Sequence, residues 1–135
     1  ESWSDALKKN VEYSMFVLAS TIKLLKKRNI PVIVTGVPHF PQYFGISRHE
    51  AFWNVEEPNH PIGAWSTKPH NELKRTTERA GGLFFNSFDA LKLYMINAKQ
   101  TDYYWPNDPT HFNVAGNKIW ADAQIHFLLK SGVLI

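Results

Sequence analysis

The chain has 135 residues, 44% apolar and 20% charged, the length and profile of one globular domain and not of a disordered segment. It has no cysteine, which excludes disulfides, thiolate metal sites and a cysteine nucleophile. Its formal charge is only +3, and it shows no nucleic-acid-binding motif, no apolar run of about 18 residues and no signal peptide. Neither nucleic acid nor a transmembrane segment is therefore expected, and the compartment stays open.

Ser4 can cap a helix over 5–28, in which Leu7, Val11, Met15, Leu18, Ile22 and Leu25 recur at spacings of three and four to give one apolar stripe. Asp5 at its start and Lys26-Lys27-Arg28 at its end suit the helix dipole, so the basic cluster reads as a solvated helix end. Asn29 can stop the helix and Pro31 cannot continue it. The β-branched run 32–37 then predicts a buried strand of the kind found in parallel sheets.

The segment 38–69 breaks the rhythm with Pro38, Pro41, Pro58, Pro61 and Pro69 among Phe40, Tyr43, Phe44, Phe52, Trp53 and Trp65. A connection this long is either functional or an insertion, and its aromatic content argues against disorder. It leaves the C-terminal end of the first strand, where ligands bind in open α/β sheets. A polar helix over 70–80 follows, ended by Gly81-Gly82. The sequence then predicts a second buried strand over 83–86, a helix over 88–96 capped by Ser87, a loop over 99–112 and a closing amphipathic helix over 114–130. Asn113 is its cap and Gly132 its stop. Two strands are few for a doubly wound domain of this length, so the chain reads as part of a larger sheet. Glu1 rather than Met opens it, which leaves processing, truncation or a fragment open.

The loop contains Asn107-Asp108-Pro109-Thr110-His111-Phe112-Asn113, with a carboxylate three residues before an imidazole. In a Ser-His-Asp site the carboxylate fixes the imidazole tautomer and stabilises the imidazolium. The same spacing also suits a plain turn, with Asp108 capping backbone groups and His111 a surface residue. Tyr103, Tyr104 and Trp105 flank the pair, and Tyr104 and Trp105 are candidates for contacting a substrate. His39, just after the first strand, can line the same crevice, against a structural or surface role. Asp102 is a reserve partner for His111, and His126 near the end of the closing helix suits the dipole. Arg48-His49-Glu50, Glu56-Glu57 and His60 lack metal-ligand spacing, so no metal is expected.

Over Asp108, His111, Phe112 and Gly116, continued by Ile119-Trp120-Ala121, the chain resembles the last block of the SGNH (GDSL-type) hydrolases and their sibling O-acyltransferases and esterases. The resemblance is at the level of motif over 108–121 and of element order over the rest. It implies an α/β fold, the C-terminal portion of a flavodoxin-like three-layer α/β/α arrangement with parallel strands. Residues 1–135 would be a single domain or the C-terminal part of one, with an insertion at about 38–69. It further implies that His111 is the general base and Asp108 its orienter, that no cofactor is needed, and that the substrate is an ester or an acylated small molecule or glycan.

The family's G-D-S nucleophile block, its glycine block and its G-x-N-D block are absent. Of the serines, only Ser47 in Gly45-Ile46-Ser47 comes near that turn, and it lies within the aromatic segment. The nucleophile and oxyanion-hole donors would thus come from an N-terminal segment or a second chain, and this chain alone is expected to be inactive. Two other readings stand beside this one. The first is a non-catalytic binding or interaction domain that keeps part of the fold, and the second is metal-dependent hydrolysis.

Overall fold

The computed structural model describes residues 4–43, 67–106 and 108–133 and shows mixed helix and strand with one parallel sheet of two strands. Ser47, His49, Glu50, Glu56, Glu57, His60, Trp53 and Trp65 lie outside the described residues, as does Asn107. The chain divides into two compact units, Glu1–Thr35 with Lys68–Phe85 and Gly36–Thr67 with Asn86–Ile135.

In the first unit, helix α1 (Asp5–Lys26) begins where the Ser4 hydroxyl accepts the Leu7 N–H at 3.3 Å. It stops two residues before the expected end. Asn29 takes a left-handed φ of 57°, and the Ile30 N–H turns back to the Leu25 carbonyl at 3.1 Å. Strand β1 (Ile33–Thr35), helix α2 (Lys68–Ala80) and strand β2 (Leu83–Phe85) follow. The strands pair in parallel, Ile33 opposite Leu83 and Thr35 opposite Phe85.

The two helices run side by side in the same direction. Leu7 and Val11 face Pro69 and Leu73 at one end, while Lys26 backs onto Gly81 at the other. Gly81 ends α2 at a φ of +86°, the Gly82 N–H returning to the Thr77 carbonyl at 2.9 Å. Both strands are shorter than the sequence suggests, and they are not buried on both faces. Residues of β1 are half-buried throughout, Leu83 is exposed and only Phe85 is buried. Each strand has a single sheet neighbour among the described residues, so neither is flanked on both sides.

The second unit is built on a 3-10 turn (Phe40–Tyr43), helices α3 (Ser87–Met95), α4 (Gln100–Tyr103) and α5 (Val114–Ser131), and an antiparallel hairpin of β3 (Tyr104–Trp105) and β4 (Asp108–Phe112). Its core is Phe40, Leu91, Met95, Ala98, Tyr104 and Phe112, with Tyr43, Tyr103, Ile119, Trp120 and Ala123 packed around it. Burying each large apolar side chain contributes about 1.5–3 kcal/mol, so the aromatic residues that punctuate the sequence hold this unit together. Asn86, and not Ser87, caps α3 by accepting the Asp89 N–H at 3.3 Å. Ser87 is fully buried inside the first turn and donates to the Gly36 carbonyl. Asn113 and Gly132 bound α5 as expected. That helix is less cleanly amphipathic than its pattern suggests, since Val114, Ile125 and Leu129 are all exposed.

Residues 100–105 and 108–112 are structured where the sequence predicts a loop. The strands of the hairpin are too short to show an alternating pattern, and Pro106 and Pro109 read as breakers. No helix among the described residues is long and apolar enough to cross a membrane.

Candidate active site

The hairpin carries the Asp108–His111 pair. Tyr104 pairs with Phe112 and Trp105 with Asp108, with an irregularity between the two pairs. Polar side chains clamp its ends. Gln100 Nε2 donates to the carbonyls of Trp105 and Pro106 at 2.7 and 2.9 Å, and Asn113 Nδ2 to those of Thr101 and Tyr104 at 3.0 and 3.2 Å. Asn113 Oδ1 meanwhile accepts the Gly116 N–H at 3.0 Å, so one side chain both caps α5 and ties it to the strands. Gly116 is required here, because a Cβ would run into the Tyr103 carbonyl oxygen and lie 2.8 Å from Phe112 Cδ1.

Asp108 and His111 meet. Asp108 Oδ2 lies 2.5 Å from His111 Nδ1. The other oxygen, Oδ1, accepts the Thr110 N–H at 2.9 Å, the Thr110 hydroxyl at 2.5 Å and the His111 N–H at 3.2 Å. A three-residue spacing lets the carboxylate fold back over its own turn, and Pro109 removes one donor from it. Bonds from the Thr110 hydroxyl and backbone, and then from His111, hold the Asp108 carboxyl well below the usual carboxylate range. The ionised form is the one that accepts all these bonds.

The His111 side chain is 76% exposed and Asp108 is 40% exposed, so the pair adds little to stability and is better suited to orienting the ring. His111 Nε2 has no hydrogen-bond partner among the described residues, which leaves it open to solvent. No described serine is bonded to His111. Ser4 caps α1, and Ser14, Ser87 and Ser131 donate to the carbonyls of Asn10, Gly36 and Leu128. The Thr110 hydroxyl adjoins Nδ1, on the side of the ring away from Nε2, so it is placed to orient and not to attack.

The remaining candidates divide. Tyr104, expected to contact substrate, is instead a fully buried core residue whose hydroxyl donates to the Pro38 carbonyl at 2.7 Å. Its ring lies 4.7 Å from that of Phe112 and 5.4 Å from that of Phe40. Burial raises its phenol pKa far above the ordinary value. Trp105 next to it is 53% exposed and is the cross-strand partner of Asp108. Opposed residues of a regular antiparallel pair share a face, so Trp105 and Asp108 are neighbours in the hairpin, at the point where the pairing becomes irregular.

His39 lies between Pro38 and Phe40, both of which touch Tyr104. It is thereby brought to the hairpin, half-buried, its N–H donating to Gln42 Oε1 at 2.7 Å, but it is not bonded to Asp108 or His111. Asp102 accepts the Lys99 N–H at 2.8 Å and so caps its own turn. His126 is exposed on α5.

No protein-family model, curated protein or solved structure matches this chain. The site therefore rests on its own geometry. Among the described residues no three His, Cys, Asp or Glu side chains are grouped so as to hold a metal ion. The residue that sequence reasoning passed over is Thr110. A threonine two positions after an aspartate is a turn signal, and that signal was present in Asp108-Pro109-Thr110.

Proposed function

We propose that this chain is the C-terminal part of an SGNH-type serine ester hydrolase or O-acyltransferase, contributing the base and its orienter to a Ser-His-Asp site. The observation that carries the reading is the 2.5 Å contact between Asp108 Oδ2 and His111 Nδ1, with Nε2 left open. In this scheme Nε2 takes the proton from a serine supplied by an N-terminal segment or a second chain. Attack on an ester carbonyl gives an acyl-enzyme, and the protonated imidazole returns the proton to the leaving alcohol. Water or a second alcohol then resolves the acyl-enzyme by the same steps in reverse. The parallel β1–β2 pair would extend into the larger three-layer sheet of that family, and the exposed Trp105 would hold an acyl or sugar group of the substrate beside His111.

The test is to read the coding sequence upstream of Glu1 for a strand followed by Gly-Asp-Ser, and to assay the resulting protein on p-nitrophenyl acetate. His111→Ala should then lose activity by at least about a thousandfold. Retained activity in that variant removes His111 from the mechanism, and a reading frame that begins at this chain removes the N-terminal segment as the source of the serine.

A second reading has an observation of its own. Asp108 Oδ1 accepts three bonds that close a tight turn, which a non-catalytic binding or interaction domain would also need. Such a domain would show no activity in any context.

A further inference from the structure

We infer that the Thr110 hydroxyl selects the tautomer of His111, which makes Thr110 a positioning residue of the site proposed above. The position of one proton decides this. Thr110 Oγ1 is 2.5 Å from Asp108 Oδ1 and 3.0 Å from His111 Nδ1. Two oxygens at 2.5 Å need a hydrogen between them, and the carboxylate is ionised, so that hydrogen is the hydroxyl's own. A threonine hydroxyl has only one. Having given it to Asp108, Thr110 can present only lone pairs to His111.

Nδ1 therefore faces two acceptors, Asp108 Oδ2 at 2.5 Å and Thr110 Oγ1 at 3.0 Å, and no donor. The neutral imidazole must carry its proton on Nδ1, as both neighbours require, and Nε2 is left as the basic nitrogen. Thr110 acts twice. Its N–H and O–H both grip Oδ1, which turns Oδ2 toward the ring, and its lone pairs exclude the opposite tautomer. Without the hydroxyl, Oδ1 would keep only the backbone N–H groups of Thr110 and His111, a weaker hold on a carboxylate beside a largely exposed ring.

The inference rests on the hydrolase reading for its purpose but not for its test, which needs no substrate. The ¹⁵N resonances of His111 in the 135-residue chain, recorded at alkaline pH, report which nitrogen of the neutral ring carries the proton. His111→Ala assigns them. Wild-type protein is expected in the Nδ1–H form. Thr110→Val, which keeps the branched shape and removes the hydroxyl, should lose that preference, and Thr110→Ser should restore it.

Three results overturn the inference. These are a wild-type His111 in the Nε2–H form, a Thr110→Val protein with the wild-type tautomer, and a failure of Thr110→Ser to restore it. The first needs no variant to fold. If the tautomer behaves as expected but no serine-bearing protein shows esterase activity, the hydrolase reading fails and the role of Thr110 stands.

Discussion

Tyr104 donates its phenolic hydrogen to the carbonyl of Pro38, 66 positions away, across 2.7 Å of fully buried core. This bond ties the segment after the first strand to the hairpin that carries Asp108 and His111. Tyr104→Phe keeps the ring contacts with Phe40 and Phe112 but leaves a buried carbonyl without its donor, at a cost of about 1–3 kcal/mol. Tyr104→Ala also removes the ring and should cost about 3–5 kcal/mol. Urea unfolding of the two variants checks the order. In a serine-bearing protein Tyr104→Phe should leave KM unchanged, as expected of a core residue that does not touch substrate.

The depressed Asp108 carboxyl sets a direction for acid stability. Its folded value lies below the unfolded value of about 3.9, so the unfolded chain takes up the proton first as pH falls. The increment is fully present above that value and is lost progressively below it, toward the folded value. Because the group is exposed, the effect on stability is small, and the titration itself is the better observable. Carboxyl-carbon NMR should show Asp108 still ionised at about pH 3, where an ordinary aspartate is mostly protonated. Thr110→Val, which removes the largest of its stabilising bonds, should move the midpoint up toward the ordinary carboxylate value. An unchanged midpoint would show that Thr110 does not hold the carboxylate.

Much of this arrangement was legible in the sequence where periodicity or capping chemistry acts locally. Ser4, Asn29, Gly81, Asn113 and Gly132 mark helix ends because each supplies a side-chain acceptor or tolerates a left-handed φ, and both are properties of the residue itself. The Asp108–His111 contact was legible for a similar reason, since a three-residue spacing closes within one turn. The fate of Tyr104 and Trp105 was not. Two adjacent aromatics in a strand point to opposite faces, and which one meets the core depends on register against Phe112 and on partners as distant as Pro38. The hairpin was hidden too, because its strands are held by Gln100 and Asn113 from the flanking helical segments and not by an alternating pattern of their own.

Trp105, exposed and the cross-strand partner of Asp108, gives a kinetic prediction. Removing a stacking surface that holds a substrate ring or acyl chain weakens ground-state and transition-state binding alike, so KM should rise while kcat holds. An aromatic contact of this kind is worth about 0.5–1.5 kcal/mol beyond its area. In a serine-bearing protein Trp105→Ala should therefore raise KM by roughly 2- to 12-fold. Because more than half of the side chain faces solvent, thermal stability should change little. A fall in kcat with KM unchanged would instead mean that the indole shapes the hairpin.

Gly116 sits at the joint between hairpin and closing helix, and it offers the sharpest test of the packing. A methyl group there would run into the Tyr103 carbonyl oxygen and would lie 3.0 Å from Phe112 Cβ and 2.8 Å from its Cδ1. The carbonyl belongs to backbone already fixed by the Asn113 N–H at 3.0 Å, so it cannot easily yield. Gly116→Ala should cost at least about 3 kcal/mol, the upper range for overpacked cores, even though alanine is the better helix former. Gly132 is the natural comparison. It has a φ of +71° with nothing within 4 Å of an added methyl, so Gly132→Ala meets only the left-handed backbone penalty of about 1–2 kcal/mol. Chemical denaturation of both variants should rank Gly116→Ala as the more damaging, with loss of the His111 Nδ1–H signal in that variant alone. The reverse order would mean that α5 is not seated against the Tyr103 backbone.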